Sequence, residues 1–273
     1  MYKLIVCDLD ETLMKDDGSL SSKNAEAIQA ATNAGIYFVV NSGRGYSSFQ
    51  KDLEKMNLRD KPNQYSISYN GGLILENKNN RPITVNAMPF NTAKEVFEIG
   101  KNNQNASIHI NTQNKLYIYN PVPEDIAYQK SRGVIFSELK NDDFNQFRDM
   151  NIMKVIMALP TVEERQNMKK MVEKKVGSSN LSISFSSGRY VEFNPAKIDK
   201  GSATLELAET LGIHPNEIIA VGDNSNDQSM LDVAGLPISV ANGIDSVKKT
   251  AKYITTADNN HDALAEIINK FIL

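Results

Sequence analysis

Apolar runs that stop abruptly in small polar residues recur at both ends of this 273-residue chain. Leu4-Ile5-Val6-Cys7 is unbroken and ends in Asp8-Leu9-Asp10, the pattern of a strand buried on both faces of a parallel sheet where it opens into a polar site. The run over 36–40 ends in Asn41-Ser42-Gly43-Arg44, that over 65–69 in Asn70-Gly71-Gly72, and that over 218–221 in Gly222-Asp223-Asn224-Ser225-Asn226-Asp227. Helical spacing fills the intervals. Ser21 or Ser22 caps a helix reaching Asn33, with Ala25, Ile28 and Ala31 or Thr32 on one face and Gly35 as its stop. Others are predicted over 46–56, from Lys200 to a stop at Gly212, from Asp227 to about 234, over 244–251 and up to 271. Short strands are predicted at 237–240 and 253–254. Asp16-Asp17-Gly18 marks the turn of a small flap. Repeated strand, polar loop and helix units with right-handed crossovers put the loops on one edge of a parallel α/β sheet.

From about Ile83 to Gly188 the pattern changes. Residues 107–110 and 115–119 alternate and predict an antiparallel hairpin, as do 181–186 and 190–193, turning at Ser187-Gly188. Thr161 and Glu164 form a capping box that opens a helix with Met168, Met171, Val172 and Val176 on its apolar face, packing as core. Mixed strands and helices of this kind indicate a separate α+β module. The expected organisation is therefore a discontinuous core of residues 1–82 and 189–273 with an insert at 83–188.

The 23% of charged residues and the net charge of −3 offer no basic field for nucleic acid. No apolar run approaches the ~18 residues of a membrane span, and no leader pattern opens the chain, so a cytoplasmic location is expected. The single cysteine, Cys7, excludes an internal disulfide; alternation turns its thiol away from Asp8, into packing. His109, His214 and His261 lack any zinc-binding spacing.

Side chains at i and i+2 of an extended chain share a face, so Asp8 and Asp10 can converge at a strand end while Leu9 points into packing. Asp8 with Asp10, Ser42 to Arg44, and Asp223 with Asn226 and Asp227 all follow strands, whereas Lys200 begins a helix. Arg44 is read as the partner of a surface carboxylate and left outside the site.

In D-L-D-E-T-L, N-S-G-R, the D-K-G-S-A run at Lys200 and G-D-N-S-N-D, the chain resembles the haloacid dehalogenase superfamily over essentially its whole length. Specifically, it is similar to Cof-type phosphatases with a type IIB cap; Asn70-Gly71-Gly72 also stands where these proteins place an N-G turn. The resemblance implies a Rossmann-like core, a parallel sheet with helices on both faces, and an inserted α+β cap that closes over the ester and selects it. It implies Mg²⁺-dependent hydrolysis of a small phosphorylated metabolite, with Asp8 as nucleophile and Asp10 as general acid and base. The Asp8 carboxylate, the main-chain carbonyl of Asp10 and the Asp223 carboxylate would hold the ion, with Asp227 supporting them. The Leu9 and Gly43 amides, the Ser42 hydroxyl, Lys200 and Asn226 would bind phosphate. Sugar phosphates or phosphorylated cofactors are the expected substrates, and a monomer or homodimer is equally compatible.

Two departures stand out. Glu11 replaces a usual glycine, predicting a less tight turn and an extra carboxylate near the metal, and Asn259-Asn260-His261-Asp262 differs from the usual tail motif. A phosphomutase of the same fold and a non-catalytic phosphometabolite-binding protein are the alternatives, the intact acid set arguing against the second. A phospho-acceptor receiver would carry its acceptor after a later strand and lack the insert. A dinucleotide-binding enzyme would need G-x-G-x-x-G after the first strand.

Overall fold

The structure is a computed structural model describing residues 1–131 and 133–273. In chain order the strands begin with β1 (Leu4–Cys7), β2 (Tyr37–Asn41), β3 (Tyr65–Ser68), β4 (Leu73–Glu76) and β5 (Arg81–Val85). Next come β6 (Ser107–Thr112), β7 (Leu116–Tyr119), β8 (Phe136–Leu139), β9 (Ile152–Ala158), β10 (Leu181–Ser186) and β11 (Tyr190–Pro195). The last are β12 (Ile218–Gly222), β13 (Leu236–Ser239) and β14 (Tyr253–Ile254). They form two sheets, in the orders β14-β13-β12-β1-β2-β3-β4-β5 and β10-β11-β9-β6-β7-β8. The chain divides into two compact units, Met1–Thr84 with Asp199–Leu273, and Val85–Ile198.

In the first unit every pairing from β14 to β3 is parallel, and β4 turns back antiparallel to β3. Alternation along β1 sends Ile5 and Cys7 to one face and Leu4 and Val6 to the other. Both faces are therefore covered. The helices are α1 (Ser22–Asn33), α2 (Gln50–Lys55), α3 (Phe90–Gly100), α4 (Pro123–Ser131), α5 (Val162–Val176), α6 (Lys200–Thr210), α7 (Gln228–Val233), α8 (Asp245–Thr250) and α9 (Ala263–Phe271). Ile28 of α1 and Ile267 of α9 pack on the first face, Leu207 of α6 and Leu231 of α7 on the second. Leu4, Ile5 and Val6 are fully buried, each contributing about 1.5–3 kcal/mol to the fold. Ser21 caps α1 by accepting from the Asn24 amide. The helix expected over 46–56 is a 3₁₀ turn, Tyr46–Phe49, running into α2.

In the second unit the two expected hairpins are antiparallel pairs, β6 with β7 and β10 with β11. Ser187 and Gly188 take φ of 52° and 61°, the left-handed conformation of a tight hairpin turn. The Thr161 capping box opens α5, whose Met168, Val172 and Val176 are buried; Met171 lies exposed instead of in the apolar face. Val191 and Phe193 of β11 belong to this unit's core, and β11 pairs with both β10 and β9. This corrects the boundary read from sequence. Residues 189–198 go with the insert, because β11 finds both its hydrogen-bonding partners and its apolar neighbours there. No helix among the described residues is long and apolar enough to cross a membrane.

Candidate active site

Parallel register brings three polar loops to one level. Cys7 of β1 is opposite Val221 of β12 and Val40 of β2, so the chain leaves all three strands together at Asp8, Gly222 and Asn41. The Asp8 amide donates to the Val221 carbonyl at 3.0 Å, continuing the ladder one residue into the loop. Beyond Asp8 the backbone coils into a wide turn, closed by the Met14 amide on the Leu9 carbonyl at 2.8 Å. Glu11 makes that turn possible at φ 59°, ψ 8°, a left-handed conformation that costs a non-glycine residue about 1 kcal/mol. The turn is a wide i to i+5 closure, and Glu11 occupies it in the left-handed region.

Lys200 is the first residue of α6 and is completely buried. Asp199 caps the helix through the Ser202 amide at 2.8 Å, and Asn41 Nδ2 donates to the Lys200 carbonyl at 3.0 Å. A Cβ on Gly201 would lie 2.3 Å from the Ser229 carbonyl oxygen, so glycine there lets α6 approach the segment carrying Ser229. From this anchor the Lys200 ammonium donates to Asp8 Oδ1 and, at 2.6 Å, to Asp227 Oδ1. Asp227 Oδ2 accepts from the Asp223 and Asn224 amides, both at 3.0 Å. Gly222 gives Asp227 its room, since a Cβ there would be 2.5 Å from that of Asp227. Asp223 Oδ1 accepts from the Thr12 hydroxyl at 2.5 Å.

Carboxylate oxygens of Asp8, Asp223 and Asp227 lie within 4.8 Å of one another, and all three residues are buried. One ammonium faces three carboxylates. Burial drives the Asp8 pKa well above the ordinary range, Lys200 pulling it back and Asp227 and Asp223 pushing further. Burial likewise lifts Asp223 to about 7, with Thr12 opposing and Asp227 and Glu11 reinforcing the rise. For Lys200 burial opposes the charge, but Asp227 and Asp8 outweigh it and hold the ammonium above an ordinary lysine. An oxygen-rich pocket with this excess of negative charge fits a hard divalent cation. Asp227 is poorly placed to bind one directly, because Lys200 and two amides occupy its oxygens; its geometry is that of a brace between Lys200 and the Asp223 loop.

This electrostatic imbalance has a measurable consequence. With a folded pKa near 7 against 3.8 for an ordinary aspartate, Asp223 binds more protons in the folded than in the unfolded chain across that interval. Its ionisation therefore costs stability, and the cost grows as pH rises through 7. A cation competes for the same carboxylate, so Mg²⁺ is expected to raise the melting temperature more at about pH 8 than at about pH 5. Thermal melts at the two pH values with and without Mg²⁺ check this; equal shifts would count against a cation at Asp223.

Asp10 is directed elsewhere. Arg44 grips its carboxylate from both sides, Nε to Oδ2 at 2.8 Å and a terminal nitrogen to Oδ1. The carboxylate that Arg44 pairs with is thus Asp10, which links Arg44 to the site that its sequence position alone leaves it outside. Its own backbone is fixed by the Ser42 hydroxyl, which accepts from its amide at 3.1 Å, and by the Ser68 hydroxyl, which donates to its carbonyl at 2.6 Å. Ser42 is buried, Leu9 packs in the core as expected, and Asn226 is exposed within the 3₁₀ turn Ser225–Asp227. Gly43 faces Asn70, and an added Cβ would be 3.0 Å from Asn70 Oδ1. Thr12 and Asn41 are participants that sequence reasoning passed over. Thr12 occupies the last position of the D-x-D-x-T pattern, the one signal that marked it.

A fold and loop edge of this kind define a hydrolase class. The family model for haloacid dehalogenase-like hydrolases matches residues 5–268, and the chain belongs to that family. It is 27% identical to the 5-amino-6-(5-phospho-D-ribitylamino)uracil phosphatase YcsE of Bacillus subtilis over 271 residues, 99% of this chain and 96% of that protein. Among solved structures, a haloacid dehalogenase-like hydrolase from Bacteroides thetaiotaomicron superposes with a TM-score of 0.88 at 25% identity, each chain fully covered. A subclass IIB sugar phosphatase of the superfamily shares the fold at a TM-score of 0.83 and 18% identity, with 98% of each chain covered.

Proposed function

We propose that the protein hydrolyses small phosphate monoesters with Mg²⁺, through an aspartyl-phosphate on Asp8. The observation that carries this reading is the buried cluster at one sheet edge, in which Lys200 bonds to Asp8 and Asp227 while Asp223 stands within reach of both. A carboxylate oxygen there attacks phosphorus, the ester P–O bond breaks, and the leaving alkoxide takes a proton from Asp10. Water then attacks the phosphorus of the acyl phosphate and gives its proton to Asp10. The P–O bond to Asp8 breaks, and phosphate and the free carboxylate are regenerated.

Asp8 and Asp223, with the Asp10 carbonyl, would hold Mg²⁺, which supplies positive charge opposite the phosphate oxygens. Lys200 fixes the orientation of Asp8 and offsets part of the cluster's charge. The Leu9 and Gly43 amides, the Ser42 hydroxyl and Asn226 are assigned to the phosphate oxygens. Arg44 holds the Asp10 carboxylate before ester arrives, so acid catalysis requires Asp10 to leave that pair or share it. The insert, residues 85–198, is assigned the choice of ester. The ribityl phosphate in the name of the relative YcsE and the sugar phosphatase of related fold make polyol or sugar phosphates the leading class, with flavin-type cofactor phosphates beside them.

Phosphate release from p-nitrophenyl phosphate and a panel of metabolite phosphates is the test. Turnover is expected with added Mg²⁺ and is expected to disappear with a chelator. Failure across the whole panel would defeat the reading.

A further inference from the structure

The stretch Asn259-Asn260-His261-Asp262 has no part in the site described so far, yet its hydrogen bonds lead there. The turn Leu9–Leu13 carries Asp10 and Thr12, and its backbone leaves helical values at Asp10, with φ −74° and ψ 129°, as well as at Glu11. In an irregular segment the direction of each carbonyl is set by the groups that bond to it. Two asparagines from distant parts of the first unit grip this one. Asn242, in the loop between β13 and α8, donates from Nδ2 to the Glu11 carbonyl at 2.7 Å. Asn259, which is buried, donates from Nδ2 to the Met14 carbonyl at 3.1 Å and to Asp16 Oδ1 at 2.8 Å. The pair is joined, because the Asn259 amide donates to Asn242 Oδ1 at 3.0 Å.

The loop that carries Asn242 also reaches the other half of the acid cluster. Its Ile244 amide donates to the Asp223 carbonyl at 2.9 Å, and its Val240 amide to the Gly222 carbonyl at 3.3 Å. Gly243 lets it turn tightly enough for both, since a Cβ there would stand 2.3 Å from the Ser239 hydroxyl oxygen. Asn260 behaves differently. It exchanges two bonds with Asp16, Nδ2 to Oδ2 and the Asp16 amide to Asn260 Oδ1, both at 3.1 Å, and reaches back to Asn259 Oδ1 at 3.3 Å. Those bonds end on the flap and leave the carbonyls of the turn untouched.

We infer that Asn242 and Asn259 form a clamp that orients the Asp10 carbonyl and thereby sets the affinity of the acid cluster for Mg²⁺. They are positioning residues, acting through the Glu11 and Met14 carbonyls. With the Glu11 carbonyl held by Asn242 and the Thr12 side chain held at Asp223, the peptide between Asp10 and Glu11 has little freedom to rotate. A ligand fixed before the ion arrives avoids the ordering cost that would otherwise weaken binding. The inference rests on the Mg²⁺ site of the phosphatase reading and adds the residues that keep that site in shape.

Calorimetric titration of the intact protein with MgCl₂, at one pH and without ester, measures that affinity directly. Asn242→Ala and Asn259→Ala are each expected to weaken Mg²⁺ binding about tenfold, the scale of losing an outer bond that steadies a metal ligand. Asn260→Ala is expected to bind Mg²⁺ as the wild type does. Asn242 lies at the surface, so its variant is expected to keep the wild-type melting transition; Asn259→Ser serves if Asn259→Ala does not fold. A merely structural role would lower the melting temperature of the metal-free variants and leave their Mg²⁺ affinity unchanged, which overturns the inference. An equal loss of affinity in Asn260→Ala also overturns it, since the flap as a whole would then be responsible. If the wild type binds no Mg²⁺, the inference falls together with the Mg²⁺ site. If the wild type binds Mg²⁺ more tightly than the two clamp variants yet releases phosphate from no ester, the inference stands and the phosphatase reading fails.

Discussion

Replacement of Asp8 by asparagine is expected to lower phosphate release by at least about 10⁴-fold, the scale seen when a nucleophile is removed from a covalent mechanism. The amide has nearly the volume of the carboxylate, so the packing of β1 is kept. What disappears is the oxygen able to bond to phosphorus. Lys200 retains Asp227 as a partner, and the variant is expected to fold with a melting transition near that of the wild type. Phosphate release under saturating ester measures the loss, and mass spectrometry of protein quenched during turnover should find a phosphorylated species in the wild type only. A variant retaining turnover within about tenfold of the wild type would exclude Asp8 as the attacking group.

The second large effect concerns the fold itself. Lys200→Ala is expected to destabilise the first unit by about 3–5 kcal/mol, because it leaves Asp8 and Asp227 buried without their shared cation. The melting temperature should fall by on the order of 10 °C. The sign of the pH dependence follows from the same charges. Without the ammonium the folded carboxylates hold protons more tightly than the unfolded ones, so the folded state binds more protons and the variant gains stability as pH falls. Added Mg²⁺ should recover part of the loss near neutrality, since it restores positive charge between Asp8 and Asp223. Thermal melts of variant and wild type across pH, with and without Mg²⁺, measure all three effects. A variant melting with the wild type would mean that the carboxylates are already uncharged when folded.

The first unit was legible because its signals are local and independent of the partner. An apolar tetrapeptide leading into Asp8 states both a buried strand and its exit, and Ser21 announces a helix cap by residue type, as Thr161 and Gly188 announce a cap and a turn in the second unit. The boundary at 188/189 divides a hairpin that the same sequence predicts: the turn at Ser187-Gly188 joins β11 to β10, and only the further register of β11 with β9 shows how firmly residues 190–195 are held in the second sheet. Thr12, Asn41 and the bond from Arg44 to Asp10 were hidden for a related reason. Each links segments 34 to 211 residues apart, or braces a backbone carbonyl, and short polar side chains do not reveal their long-range partners. At Glu11 the sequence marks a departure from a usual glycine but not the backbone conformation, which is left-handed and open to other residues at modest cost.

Cys7 sits in the middle strand next to Asp8, with no solvent exposure, its thiol donating to the Asp8 carbonyl at 3.1 Å. Burial and the neighbouring Asp8 hold the thiol well above its usual pKa, so little thiolate exists to meet an alkylating agent or peroxide. Because it is the chain's one sulfhydryl, the rate at which iodoacetamide captures it becomes a clock for disruption of the central sheet, readable on unmodified protein with no engineered label.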